Sequence, residues 1–407
     1  MCTNVYAAPI TAVRRGGAGF WAVAFAFLIV MAFATLPSPL YGLYRAGDHL
    51  STLTVTVVYA VFAVGTIAAL VCERLVVARV GRRGAMVGGV ATMIVAATVL
   101  AAWKALPGLF VGRVLTGVAV GLAAGTATAY LIELRVRDDP NASVVGARTI
   151  GTAVNVGALG VGPLVSGILA QWTGQPLSLP YVAFVALGAI ALVGLVRAPE
   201  TGAPSRQAPA TLAVAGIPVA AAAATIAAFS ATGLFAGVSG LLLATTLHRP
   251  SHALSGATLF VVFSSGVASQ LVTARLRASR VLALGTTLMV VGLALLVTAV
   301  RLSTPSLALF LVGGALIGAG AGLVFKGTTG VVLEAAAPAD RVAMTSTMII
   351  AAFVGLSIPV VGAGVALSRG VSAPGTVLGF AIAVAAGVAL SGWELLRREQ
   401  RRYPESV

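Results

Sequence analysis

The sequence predicts an all-α integral membrane protein: about twelve transmembrane helices arranged as two pseudo-symmetric six-helix bundles. Three observations carry the prediction. Hydrophobic residues make up 59% of the 407 and charged residues only 9%, against about 25% charged in a soluble domain. The apolar residues fall into long runs, and those runs repeat weakly at an offset of half the chain.

A spanning helix needs about 20 mostly apolar residues. Runs of that kind stand at 18–42, 52–72, 84–104, 107–132, 145–171, 180–197, 211–245, 254–274, 281–300, 306–330, 342–368 and 374–396. None alternates with period two over ten residues, which argues against a barrel. The first run outlasts a signal-peptide core, and Pro37 and Pro39 stand where a cleavage site would be, so a retained helix is expected. The seventh is too long for a simple span; Gly233 and Gly237 are expected to break it or let it pass into a loop. The expected organisation is a segment 1–17, a bundle 18–198, a linker 199–210 (PETGAPSRQAP from Pro199 to Pro209), a bundle 211–396 and a basic tail 397–407.

Lys and Arg set the orientation. With both termini inside, nineteen basic residues fall in cytoplasmic segments and five outside (Arg45, Lys104, Arg249, Arg301 and Arg369), leaving Arg113 and Lys326 within spans. Termini on one side require an even number of spans, in keeping with twelve. The Ala-, Val-, Gly- and Arg-rich composition points to a bacterial inner membrane.

Shifted by 201 residues, the fourth run overlies the tenth. Gly112 meets Gly313, Gly117 meets Gly318, Gly121 meets Gly322, Leu122 meets Leu323, Thr128 meets Thr329 and Glu133 meets Glu334. At an offset of 196, Pro163 meets Pro359 and Ala78-Arg79 meets Ala274-Arg275. Weak internal repeats of this length are typical of transporters.

The formal charge of +15 comes in short clusters between apolar runs rather than on one face, so nucleic acid is not expected as a partner. Cys2 and Cys72 make no disulfide or metal framework. His248 and His252 flank Pro250 and read as a solvated loop rather than a metal pair. No phosphate loop, zinc signature or nucleophile elbow occurs in context. An enzyme, a cofactor and a metal are therefore not expected.

Three segments resemble the major facilitator superfamily. Between the second and third runs stands Ala78-Arg79-Val80-Gly81-Arg82-Arg83, similar to the loop pattern G-x-x-x-D-R-x-G-R-R. Its glycine suits a tight turn, and its arginines can bond helix-end carbonyls and carboxylates. The pattern's first Gly is Arg74 here and its Asp is Ala78, so the usual gate carboxylate is missing; Glu73 and Glu133 are the candidate substitutes. In the fourth run, Arg113-Val-Leu-Thr-Gly117-Val-Ala-Val-Gly121 resembles R-x-x-x-G-x-x-x-G. Its glycines permit close helix approach. A charge inside a span is functional by default, and the resemblance associates Arg113 with proton coupling; the other placement open to it is snorkelling to the outer interface. In the fifth run, Gly157-Ala-Leu-Gly160-Val-Gly162-Pro163-Leu-Val-Ser166-Gly167 is similar to the antiporter pattern g-x-x-x-G-P-x-x-G-G, with Ala158 and Ser166 replacing glycines. That resemblance implies export in exchange for protons. Leu36-Pro-Ser-Pro-Leu-Tyr41 and Pro199-Glu200-Thr201 also resemble family patterns.

None of the eleven carboxylates falls at mid-span, as a cationic cargo would require of its site. Arg113 and Lys326 are the intramembrane charges. Lys326, eight residues before Glu334, either faces a cavity or pairs with a carboxylate near the inside gate. Tyr41, Tyr59, Asn155, Phe235 and Gln270 are further cavity candidates, each also explicable by packing.

The expectation is a monomeric transporter working by alternating access, coupled to protons and exporting a small neutral or anionic organic molecule from the bilayer it spans. Two rivals stand beside it: an importer of a small polar or anionic solute, and a non-transporting receptor or scaffold.

Overall fold

In the computed structural model the described residues are 11–47, 49–140, 143–202, 216–337 and 340–402. Cys2, Asp48, Arg206, Glu405 and most of the expected linker lie outside the described residues, as do the side chains of Arg14, Arg15, Arg398, Glu399, Arg401 and Arg402. The described chain is helical: α1 (Thr11–Thr35), a 3-10 turn at Ser38–Leu40, α2 (Tyr41–Gly47), α3 (Thr52–Ala102), α4 (Leu106–Asp138), α5 (Val145–Trp172), α6 (Leu179–Arg197), α7 (Val219–Thr245), α8 (His252–Val272), α9 (Ala278–Arg301), α10 (Leu307–Glu334), α11 (Arg341–Ser368) and α12 (Ala373–Arg402).

Among the described residues, eleven helical stretches are long and apolar enough to cross a membrane. One of them, α3, has 51 residues. At 1.5 Å per residue it would run about 75 Å, more than twice a hydrocarbon core. It breaks at Gly81, whose φ of 75° and ψ of 177° are non-helical. The two limbs, 52–80 and 82–102, are separate crossings, giving twelve.

The expected break in the seventh run is corrected. The helix α7 begins after Pro218 and continues unbroken through Gly233 and Gly237. Both glycines serve close packing instead: a Cβ on Gly233 would strike the Leu356 carbonyl, and one on Gly237 would stand 2.6 Å from Val360. In the first run, the chain leaves helical geometry after Thr35 and resumes it in the turn over Pro37 and Pro39. His252 is the first residue of α8 rather than a loop residue.

The halves are α1–α6 and α7–α12. In the first, α3 packs on α4 and α6, while α1 packs on α4, α5 and α6; in the second, α10 packs on α8 and α9, and α7 on α11 and α12. The halves meet chiefly through α5 on α8 and α3 on α11.

The sequence repeat is a repeat of contacts. A Cβ on Gly117 would strike the Phe62 carbonyl, and one on Gly318 the Val262 carbonyl. Gly121 lies 2.5 Å, by the same measure, from the Thr66 carbonyl, while Gly322 abuts the Gly266 carbonyl. Glycines four apart let α4 close on α3, and α10 close on α8, in the same register.

Because successive spans alternate in direction, Arg74, Arg79, Arg82, Arg83, Arg135, Arg137, Arg148, Arg197, Arg275, Arg277, Arg280, Arg341 and Arg397 gather at one end. This is the arginine-rich end; the opposite face is the arginine-poor end.

Candidate functional site

The Gly81 break creates the first element of the site. The limb that starts at Arg82 has free N–H groups in its first turn, as every helix does. Glu200, just past α6, fills them: its carboxylate accepts from the backbone of Arg82 at 2.9 Å and Arg83 at 3.1 Å, and also from Thr201 and Gly202. A Cβ on Gly81 would lie 2.6–2.7 Å from that carboxylate, so glycine is needed there for space as well as for φ.

Side chains complete the lock. Arg82 donates its Nε–H to Glu133 at 2.9 Å and has Glu73 at 3.9 Å. Thr201 donates to Glu133 at 2.6 Å, Tyr130 to the Pro199 carbonyl at 2.7 Å, and Arg83 to the Ala198 carbonyl at 3.3 Å. The missing motif carboxylate is therefore replaced twice, by Glu133 for the guanidinium and by Glu200 for the backbone. Glu200 is remote from the motif in sequence, and its Pro-Glu-Thr setting is the one local signal that marks it. Arg79 is exposed beside this cluster.

Arg113 forms the second element. Its side chain does not reach an interface: the residue is 1% exposed. Nη1–H donates to the Ala34 carbonyl at 2.7 Å and Nη2–H to the Tyr59 carbonyl at 3.1 Å. Ala34 is in the last turn of α1, where carbonyls lack helical partners and carry the negative end of the dipole. The guanidinium also lies 4.6 Å from the Phe62 ring centre and 5.8 Å from that of Tyr59. Among the described residues no carboxylate is within ion-pair distance of it. Its Nε and the Tyr59 hydroxyl are buried without a hydrogen-bond partner, and the Tyr41 hydroxyl lies beside the guanidinium.

The other half fills this place with an apolar ring. At the repeat offset, Gly314 answers Arg113, and a Cβ there would stand 3.1 Å from Phe235. Phe235 is buried and packs on Phe310 with ring centres 5.3 Å apart. The expectation that it lines a cavity is corrected: it is core.

Lys326 is half-buried and bonds to carbonyls rather than to a carboxylate. Its ammonium donates to the Gln270 carbonyl at 2.9 Å and to the Thr273 carbonyl and hydroxyl at 2.8 and 3.2 Å. It caps the C-terminal end of α8, where carbonyls favour a cation, and among the described residues no carboxylate lies within ion-pair distance. Glu334 is exposed at the end of α10. Asn155 is half-buried on α5, and the Gln270 amide nitrogen is buried without a partner.

The third element is the α5 seam. Pro163 has no N–H, which frees the Leu159 carbonyl one turn earlier; Thr35 of α1 donates to it at 2.6 Å. Ser166, which replaces a motif glycine, donates to the Leu36 carbonyl at 2.6 Å. A Cβ on Gly162 would strike Ala32 of α1. The opposite face meets α8: Gly160 lies against the Phe260 backbone, Gly256 against the Pro163 carbonyl, and Gly167 against the His252 carbonyl. Gln171 accepts from Ser251 and from the His252 backbone at 3.1 and 2.9 Å, and His252 donates Nδ1–H to the Pro39 carbonyl at 3.1 Å. Phe62 and Phe353 meet across the halves at 5.9 Å, and Gly364 abuts Thr56. These cross-half contacts run from the arginine-poor end to about mid-helix. Among the described residues no glycine at the arginine-rich end brings the halves together in this way.

Gly256→Leu is expected to force the seam apart. With Cys2 and Cys72, the latter an exposed free thiol, replaced by serine, a cysteine introduced at Thr245 should react faster with a membrane-impermeant maleimide in the Gly256→Leu protein than in its parent. Equal rates would show that the seam tolerates the side chain.

Two pseudo-symmetric six-helix halves meeting at a sealed seam, with a buried basic centre beside it, is the build of a secondary membrane transporter. Residues 23–276 match the Major Facilitator Superfamily. The chain belongs to that superfamily, a family of multi-pass membrane transporters. Solved structures of similar fold include a point mutant of the nucleoside transporter NupG (TM-score 0.70, 10% identity, covering 93% of this chain and 99% of that one). Another is the human organic anion transporter MFSD10 (TM-score 0.66, 17% identity, covering 94% and 99%). No curated sequence matches the chain.

Proposed function

We propose that this transporter exports a small neutral or anionic organic molecule by alternating access, in exchange for protons. The observation that carries the reading is the α5 seam. The segment resembling the antiporter pattern forms the contact that closes the arginine-poor end, where Gly160, Pro163 and Gly167 meet α8. A seam of backbone on glycine separates and re-forms without side chains having to interdigitate. The second support is the absence, among the described residues, of a carboxylate near Arg113. A desolvated cation would find no counter-charge there, whereas an anion would.

In the same reading the arginine-rich end is cytoplasmic, both termini lie on that side, and the membrane is a bacterial inner membrane. The bundles divide at the linker 199–210, the protein works as a monomer, and the structure is its inward-facing form. Arg113 takes part in coupling, and the Glu133–Arg82–Glu200 cluster, bonded here within the first half, braces the inside-gate loop.

Everted vesicles test the reading. With an acidified interior, vesicles carrying the protein are expected to accumulate a labelled organic anion or neutral solute from a screened panel, and to lose it on addition of a protonophore. Accumulation in right-side-out vesicles under an inward proton gradient would establish import instead. No gradient-dependent flux of any panel member would remove the transport coupling altogether.

A further inference from the structure

At the arginine-poor end the two halves jointly line a half-open cavity of about 510 Å³. The first half contributes residues 38–46 and the start of α3; the second contributes the end of α7 and the start of α8. Most of the wall is aliphatic or glycine. Serine and threonine hydroxyls line the rest, and the groups that bear on its chemistry most are Tyr41, Arg45, His252 and Ser255.

Tyr41 and Ser255 are 5% and 3% exposed; the Ser255 hydroxyl has no hydrogen-bond partner, and the Tyr41 hydroxyl has beside it only the Arg113 guanidinium, a donor that leaves the tyrosine's own proton unused. Buried hydroxyls left unpaired are costly, and both can donate. They belong to different halves, so one ligand atom group could satisfy groups on both. Arg45 stands exposed on the lining and brings a full positive charge. His252 has its Nδ1–H committed to the Pro39 carbonyl, which holds the ring in place on the wall.

The electrostatics favour an anion throughout. Among the described residues no lining residue is acidic. The Tyr41 ring meets that of Tyr59 edge-on at 6.4 Å, and beyond it the Arg113 guanidinium lies 5.8 Å from the Tyr59 ring centre with carbonyls for hydrogen-bond partners. Two long helices, α3 and α8, present N-terminal turns to the cavity through Thr52 and His252, while α7 ends there at Thr245. The positive helix ends outnumber the negative one.

We propose that this cavity is a binding site for a small organic anion of the aromatic monocarboxylate class, gripped between the two halves at the arginine-poor end. The carboxylate accepts from Tyr41 and Ser255 within reach of Arg45, and the ring lies on the aliphatic wall. Because the ligand touches both halves, occupancy holds that end closed. The site stands independently of the direction and coupling proposed above.

The test uses 1-naphthoate and the purified full-length protein in detergent, with no gradient, followed by calorimetry. One saturable site is expected, with methyl 1-naphthoate weaker by about tenfold or more. Arg45→Glu should weaken naphthoate by about tenfold, and Arg45→Lys should stay within about threefold. Ala244→Trp, which fills the cavity from an exposed position on α7, should abolish binding. Ligand-free melting of each variant confirms that it is folded. Absence of binding to the folded parent, equal binding of acid and ester, or unchanged binding in both Arg45→Glu and Ala244→Trp would overturn the proposal. A negative result here leaves the vesicle experiment unaffected, and a negative vesicle result leaves this one unaffected.

Discussion

Arg113→Lys is expected to leave a folded protein that no longer transports. The guanidinium spans two carbonyls on different helices, Ala34 of α1 and Tyr59 of α3, while lying against the Phe62 ring. An ammonium is a compact point charge and cannot reproduce that fork. Losing one charge-assisted bond costs about 1.5–3 kcal/mol, or a change of about 10- to 100-fold in an equilibrium that depends on it. Phe62 touches Phe353 of the other half, so the loosened centre also bears on the seam between halves. Arg113→Leu should be worse, because it strands the α1 carbonyl as well as removing the charge. Thermal melting of both variants, beside flux in the vesicle assay, checks the expectation. Flux within about twofold of the parent for Arg113→Lys would reduce Arg113 to a packing residue.

Glu200→Ala and Gly81→Ala are expected to destabilise the arginine-rich end by a common route. The Glu200 carboxylate is the partner of four backbone N–H groups, including the two that open the second limb of α3. Bonds to a charged group contribute about 1.5–3 kcal/mol each, and they share one acceptor here, so a total of about 3 kcal/mol is expected from its removal. Gly81→Ala adds a Cβ 2.6 Å from the same carboxylate at a φ of 75°. Both variants should therefore melt early in detergent, and the double variant should be less than additive, since each disrupts the same contact. Strict additivity would mean that Gly81 and Glu200 act separately.

The membrane class, the number of crossings and the two halves were legible in the sequence, since each depends on local composition or spacing. An apolar run of about 20 residues has no other good solvent than lipid, and glycines four apart mark a close helix contact whichever helix supplies it. The offset of 201 therefore pointed to matching packing, which Gly117 on Phe62 and Gly318 on Val262 display. Arg113 stood out because a charge within a span is costly.

What a residue touches was decided by tertiary structure. Glu200 becomes the cap of a helix that begins 118 residues earlier, and no local pattern specifies that partner. Arg113 and Lys326 looked alike in sequence, each a lone cation in an apolar run. One is buried between α1 and α3, while the other caps α8. Phe235 and Tyr59 read alike as aromatics in a span, yet one fills the space that a glycine leaves and the other lies beside a guanidinium. Sequence periodicity records which solvent a segment prefers and how closely a helix can be approached. The identity of the neighbour depends on how distant segments pack, and here that packing placed the seam at Pro163 and the cavity at Tyr41.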